Sequence, residues 1–350
     1  MRAWPLLALA ALALPAPADE PCAPVKPCEV PDQGSPQARE APAEFAEEAR
    51  QLWQLVGCEA PLPEGLDAVP VKSFCARRAR ATARDARALA ELEKVLQPLR
   101  PPRLPSATVY PLSDSDLASA LAAYPDARNT TLVSSVGCGD PRVLPGLRDP
   151  ARLALFLSSA WGGGTRLVHS GSGERGEPAH TAADRPALPL LLSALAAAGD
   201  EPVGLKYFRI EPAGTLRYLG AGEIASMERT PQGPRPFDGC EIAFVRRGEP
   251  VGTLPRLVRS VRADLSDAGV AADPAPLAHL DSKGTFGAVL AGATALSGEK
   301  LSRLRDLLLR RAVFTVSDGT GPSAEQVKQA GLVEERRARP GGEVAVIRRP

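Results

Sequence analysis

The sequence predicts an α/β fold: a mainly parallel sheet flanked by helices, with an N-terminal helical hairpin and a possible antiparallel extension. Three observations carry this. From residue 105 onward, short β-branched and apolar runs alternate with apolar-periodic stretches, the pattern of βαβ units. Two helical patterns and no strand precede them. The chain has 350 residues, 44% hydrophobic and 24% charged, enough to bury a sizeable core.

The first helix follows from Phe45, Ala49, Leu52, Trp53 and Val56, which fall at i, i+4, i+7, i+8 and i+11, with Gly57 as its stop. A second helix covers about 73–96, with Leu89, Leu92 and Leu96 as its apolar stripe and Pro98 ending it. Together they make the hairpin, residues 43–100. In the α/β domain, 105–350, strands are expected at 106–111, 130–137, 165–170 and 203–210, and helices at 115–125, 149–161 and 186–199. Further strands at 214–219, 240–247 and 256–264 suit the antiparallel extension. Leu301, Leu304 and Leu308 mark a last long helix, followed by a strand at 312–317 and an edge strand at 343–349.

Residues 1–18 read as a secretory signal peptide: Arg2, an apolar stretch from Trp4 to Leu14, and the small-residue site Ala16-Pro17-Ala18. That stretch is shorter than the roughly 20 residues a membrane helix needs, so no transmembrane segment is expected after signal removal. Residues 19–42 are Pro-rich and aperiodic, a linker. The expected location is the periplasm or the extracellular medium. In an oxidising compartment the six cysteines, Cys22, Cys28, Cys58, Cys75, Cys138 and Cys240, favour disulfides. Six cysteines allow fifteen pairings, among which the sequence does not choose; nearest-neighbour pairing would give Cys22–Cys28, Cys58–Cys75 and Cys138–Cys240. No CxxC spacing and only three His argue against a metal site.

Forty-two basic against 41 acidic side chains exclude the electrostatic footprint of a nucleic-acid binder. Charge is nevertheless patterned. Arg77, Arg80, Arg84 and Arg87 stand at i, i+3, i+7 and i+10 on one face of the second helix. They suit either an anionic partner or membrane surface, or a solvated face set against the acidic stripe Glu40, Glu44, Glu47 and Glu48 of the first helix. The near-cancellation of the two sets favours the second reading.

Gly171, Gly173 and Gly176 spell GxGxxG, but Glu174 and Glu177 oppose phosphate, and Pro178, Pro186 and Pro189 delay the helix that should receive it. A surface loop is expected, and no cofactor. His180 and His279 stand alone and are expected on the surface. A more specific constellation comes from the carboxyl ends of the predicted parallel strands, which share the edge where α/β folds bind ligands. Those ends carry Ser113, Asp114 and Asp116, then Cys138, then His169 and Ser170, then Ser317 and Asp318. Cys138, His169 and Asp318 are the residue types of a nucleophile, a base and an orienting acid, and Ser113, Asp116 and Ser170 would line the ligand edge. Against this, an exported cysteine is more often half of a disulfide, and Asp after a strand is more often a helix N-cap. The expected function is therefore a non-catalytic binding or cell-envelope accessory protein. The alternatives are an exported hydrolase or transferase using Cys138 or Ser170 with His169 and an Asp, and a degenerate methyltransferase-like fold. The last would lack the glycine loop and would have Ser134-Ser135 where an acid follows the second strand.

Two stretches resemble a family of exported bacterial proteins of unknown activity whose members carry a YPFSGxD segment, then FPxA, and later an FSxIRDxIL helix leading to a strand ending in QDDSGxP. The first is similar to residues 109–116, VYPLSDSD, with Tyr124-Pro125-Asp126-Ala127. The second is similar to 301–309, LSRLRDLLL, with 316–322, VSDGTGP. The resemblance implies one exported α/β domain. This chain departs from the pattern at Ser115, where the family has glycine, and at Ser317, one of its paired acids.

Overall fold

A computed structural model describes residues 44–113, 116–160, 186–228, 235–250, 252–291, 294–339 and 342–350. The expected signal peptide, the expected linker with Cys22 and Cys28, the strand expected at 165–170, the GxGxxG string and His180 lie outside the described residues.

Helix α1, Ala46–Gly57, buries Ala49, Leu52, Trp53, Leu55 and Val56. Its stop comes one residue later than expected. Cys58 takes the left-handed conformation, φ 62°, and its N–H bonds the Gln54 and Leu55 carbonyls. Gly57 serves a different purpose: a Cβ there would lie 3.0 Å from that of Ala196, so glycine lets α1 approach its neighbour. Helix α2, Ala68–Leu96, starts on Asp67, whose carboxylate accepts the Val69 N–H. The Cys58–Cys75 disulfide ties the two helices. Arg78 reaches from α2 to the Gly57 carbonyl and to the Ser193 carbonyl, so one cation serves the negative end of α1 and a turn of a later helix.

Strand β1, Ala107–Tyr110, leads to α3, Leu117–Ala123, and to β2, Asn129–Ser134. A 3-10 segment, Pro141–Arg148, precedes α4, Pro150–Ser159, which Asp149 caps with Pro150 in the first turn. Helix α5, Leu188–Ala198, ends on Gly199 at φ 76°. Next come β3, Asp200–Ile210, β4, Leu216–Leu219, α6, Ala221–Glu228, β5, Gly239–Arg246, and β6, Arg256–Arg262. The chain continues through α7, Asp267–Ala272, α8, Ala275–Asp281, and β7, Phe286–Leu290. It closes with α9, Ser302–Arg311, β8, Ala312–Ser317, α10, Ala324–Gln329, β9, Val333–Arg339, and β10, Gly342–Arg348.

The ten strands of the described residues form one sheet in the order β4-β3-β5-β6-β2-β1-β7-β8-β10-β9. Its centre, β6-β2-β1-β7-β8, is parallel. Antiparallel strands extend it on both sides: β5, β3 and β4 beyond β6, and β10 and β9 beyond β8. The expected mixture of parallel core and antiparallel extension is thus present, with its parts distributed differently. The stretch 203–210 is antiparallel, and 256–264 holds a strand that is parallel to β2. β7, read from sequence as no element at all, lies beside β1 in the middle of the sheet.

Side chains alternate between two covered faces, as a doubly wound sheet requires. Tyr110, Leu132, Val258, Val289 and Phe314 pack in one cluster with α1, α3, α4 and α5. Val109, Val133, Ala288 and Leu290 pack in another with Leu280 of α8 and Leu304, Leu307 and Leu308 of α9. α1 lies against α5 and β3. The described residues belong to one compact unit.

One contact sets the spacing at the centre. Tyr124, fully buried at the end of α3, lies over Gly287 of β7, and a Cβ on that glycine would stand 2.2 Å from the ring. The Tyr124 hydroxyl donates to the Ala288 carbonyl at 3.1 Å and to the Phe314 carbonyl, joining α3 to β7 and β8. Burial pushes its pKa far up, so it stays a donor. Gly287→Ala is expected to destabilise the fold by about 3 kcal/mol, the upper range for overpacking a core. Denaturant titration, with Gly222→Ala as the control at an exposed position with nothing within 4 Å and no positive φ, measures the difference.

Candidate functional site

The carboxyl ends of the five parallel strands share one edge. The chain winds onto one face before β1 and β2 and onto the other around β7 and β8, so the point of reversal lies between β1 and β7. After β1 the backbone turns sharply, with Leu112 at φ 59°. The Ser113 N–H and hydroxyl both donate to the Val133 carbonyl, at 2.8 and 3.1 Å, which pins this loop over β2. Asp116 then caps α3: its carboxylate accepts the Ser119 N–H at 3.1 Å, the Ser119 hydroxyl at 2.6 Å and the Tyr110 hydroxyl at 3.4 Å. Ser113 and Ser119 are fully buried, and Asp116 is buried with them.

Two strands along, the Asp318 N–H bonds the Leu290 carbonyl at 3.1 Å, so the end of β8 is tied to the end of β7. The Asp318 carboxylate accepts the N–H and the hydroxyl of Thr320, and the Ser317 hydroxyl donates to the Thr320 carbonyl. Asp318 and Thr320 are half-buried, as is Leu112 across the crevice, whereas Ser317 is buried.

Cys138 is placed elsewhere. Its sulfur is bonded to Cys240 of β5, and both residues are fully buried. The Cys138 N–H bonds the Phe237 carbonyl at 2.7 Å, and its sulfur lies 3.6 Å from the Ser260 carbonyl on β6. Gly139, at φ 90°, packs so closely on Pro186 that a Cβ would stand 2.3 Å from it. Asp140 caps the 3-10 turn and holds the Arg142 guanidinium through both oxygens at 2.8 Å. From β6 to β8 is four strand spacings, about 19 Å at ~4.8 Å each. The structure therefore places Ser113 and Asp116 at the end of β1 and Asp318 at the end of β8, two strands along the same edge, and does not bring Cys138 to them. In the bonded form Cys138 has no thiol to ionise, so the nucleophile role expected of it is unavailable here. His169 and Ser170 lie outside the described residues.

The residues that sequence reading missed flank this edge and the opposite face. Leu290 ends the unread strand β7, and Ala291 follows it at the same edge. The strand's signal was the short apolar run FGAVL, with a glycine two residues before it. His279, expected on the surface, is buried on α8. Its Nδ1 donates to the Gly214 carbonyl at 2.8 Å, and its Nε2 is enclosed with no partner among the described residues. Gly214 touches the α8 backbone so closely that a Cβ would stand 2.6 Å from the His279 nitrogen. Nearby, Arg259 of β6 pairs with Glu241 of β5 at 2.7 Å, and the Tyr218 hydroxyl donates to the same carboxylate at 2.8 Å. Burial, then the Glu241 charge, drives the Tyr218 pKa up. No group of three or more His, Cys, Asp or Glu among the described residues could hold a metal ion. A separate groove of about 570 Å³ between α9 and α10 is lined by Arg305, Arg310 and Arg349, but the first is bound to the Leu296 and Gly298 carbonyls and the last to the Arg310 carbonyl.

Comparisons with protein-family models, with curated proteins and with solved structures find no match.

Burial, reinforced by the Lys283 charge, lowers the His279 pKa to about 3. An unfolded histidine binds a proton below about 6.5 and the folded one does not, so this group's contribution is complete above about pH 6.5 and is lost as pH falls toward 3. Stability should fall by about 1.4 kcal/mol per pH unit in that window on its account. His279→Asn, which keeps a donor for Gly214, should flatten the slope in denaturant midpoints measured from pH 7 to 4.

Proposed function

We propose that the chain is an exported, non-catalytic binding or cell-envelope accessory protein whose ligand edge is the crevice at the carboxyl ends of β1, β7 and β8. The observation that carries this is the fate of the reactive groups. Cys138 is consumed in a buried disulfide, and Asp116, Ser113 and Ser317 are consumed in holding loops and a helix start. At the end of β8 Asp318 and Thr320, bonded to each other, and Leu112 after β1 are only half-buried, a small polar and apolar rim suited to binding. Two disulfides fit an oxidising compartment, and no helix among the described residues is long and apolar enough to cross a membrane. The two segments that resemble an exported bacterial family end on this same crevice, the first in the loop after β1 and the second at the end of β8, which supports reading it as the working edge. Maleimide labelling tests the proposal. In the native, unreduced protein Cys58, Cys75, Cys138 and Cys240 should stay unlabelled, and all four should label after denaturation and reduction. Labelling of native Cys138 would overturn it in favour of a thiol enzyme.

A second reading, a degenerate methyltransferase-like fold, is favoured by the strand order. Numbered along the chain, the parallel strands run 3-2-1-4-5, the arrangement of doubly wound nucleotide-binding sheets, and a closing antiparallel pair follows. The loop after β1 has no glycine, and Ser134 closes β2 by bonding its hydroxyl to Val136 instead of presenting a carboxylate to a ribose. S-adenosylmethionine at about 1 mM should leave the melting temperature unchanged, since only a ligand of the folded state raises it. A rise would mean that the cofactor site is intact.

A further inference from the structure

Among the described residues no hydrogen bond or ion pair joins the arginine row on α2 to Glu44, Glu47 or Glu48 of the acidic stripe that was expected to neutralise it, and Glu40 lies outside them. Arg77, Arg80, Arg84 and Arg87 are all exposed. Glu47 of α1 is engaged within its own helix by Arg50 and Gln51, at 2.7 Å each. Among the described residues Arg77 bonds only the Ser73 hydroxyl, Arg87 bonds the Ala83 carbonyl, and Arg84 alone has a carboxylate, its neighbour Asp85. Among the described residues three of the four guanidinium groups therefore have no carboxylate partner.

The helix displays them in a particular way. At ~100° per residue the four lie within an arc of about 80°, and the row is about 15 Å long. The opposite side of α2 is the buried one, with Val71, Phe74, Leu92 and Leu96. Beside the row the exposed positions are alanines, Ala76, Ala79, Ala83, Ala86 and Ala90, whose short side chains leave the guanidinium groups standing clear of the helix surface. Val69, 74% exposed, falls in the same arc one end away, and Leu62, 42% exposed, sits in the preceding turn. A basic strip with an apolar side chain at one end suits a flat anionic partner: guanidinium groups fork onto phosphate oxygens while Val69 meets the acyl boundary.

We infer that this face of α2 docks the protein on an anionic phospholipid bilayer. The inference goes beyond the crevice at β1 and β7 and does not depend on it. Binding is electrostatic, weakened by salt and by loss of the arginines, each of which is worth about a fivefold change in affinity near a charged membrane surface.

Flotation of the full chain with vesicles tests it. The protein should float with 30:70 phosphatidylglycerol and phosphatidylcholine vesicles, on the order of a third anionic lipid as in charged cell membranes. It should not float with phosphatidylcholine alone, and high salt should release it. The variant carrying Arg77→Gln, Arg80→Gln, Arg84→Gln and Arg87→Gln should lose several hundred-fold in affinity at an unchanged melting temperature, because these side chains bury nothing. Arg77→Lys with Arg80→Lys should retain most of the binding. Equal binding to both vesicle types, no binding to either, or undiminished binding by the quadruple variant would overturn the inference. So would binding of polyglutamate in place of vesicles, which would assign the face to an acidic protein.

Discussion

A strand of four residues, β1, has to be buried on both faces at the centre of a ten-stranded sheet, and the rest of the architecture answers to that constraint. Val109 and Tyr110 point to opposite clusters, so helices must cover both sides. Helices reach one side only if the chain winds one way from β1 to β2 and the other way through β6, β7 and β8, which creates the reversal between β1 and β7. Tyr124 locks this arrangement by lying on Gly287 and bonding carbonyls of two strands. A side chain at position 287 would push α3 off the sheet and open the crevice beside it.

That crevice is built more for rigidity than for reactivity. Among the described residues the acids and hydroxyls that strand-end logic nominated find intramolecular partners: Asp116 the start of α3, Ser113 the Val133 carbonyl, Asp318 the Thr320 turn. The energetic reason is general. Backbone groups at strand ends and helix starts are unsatisfied unless a side chain bonds them, and short polar residues next to them do so at about 1 kcal/mol each. The disulfide between Cys138 and Cys240 acts similarly on a larger scale, joining the segment after β2 to the antiparallel extension across 102 residues of chain. The result is a stiff edge on which only a few groups remain open to a ligand.

The even balance of charge conceals an uneven distribution. Among the described residues several surface acids are paired close to home, as Glu47 is with Arg50 and Glu211 and Glu223 are with Arg217. Surface pairs of this kind add little stability, but they remove negative charge from play and leave the arginines of α2 exposed to whatever lies opposite. A chain that carries almost no net charge can therefore still present a strongly positive face.

By itself the sequence determined the α/β class, both helices before the sheet and the residues that end β1 and β8, while for the cysteines it left fifteen pairings open, among which the fold realises the nearest-neighbour pairs Cys58–Cys75 and Cys138–Cys240. Class, helices and strand ends follow from local signals: periodicity and turn residues. Tertiary structure alone decided the place of β7, because FGAVL is as short and apolar as any buried segment and only its neighbours make it a central strand. It decided too that 203–210 runs antiparallel, since direction is a property of a pair of strands. His279 reads as a lone polar residue until the Gly214 turn closes over it, and Cys138 reads as a possible nucleophile until Cys240 arrives from a distant strand. Contacts between residues far apart in the chain leave no periodic trace in either partner, so partnership, and with it the chemistry left available, emerges only when the chain is folded.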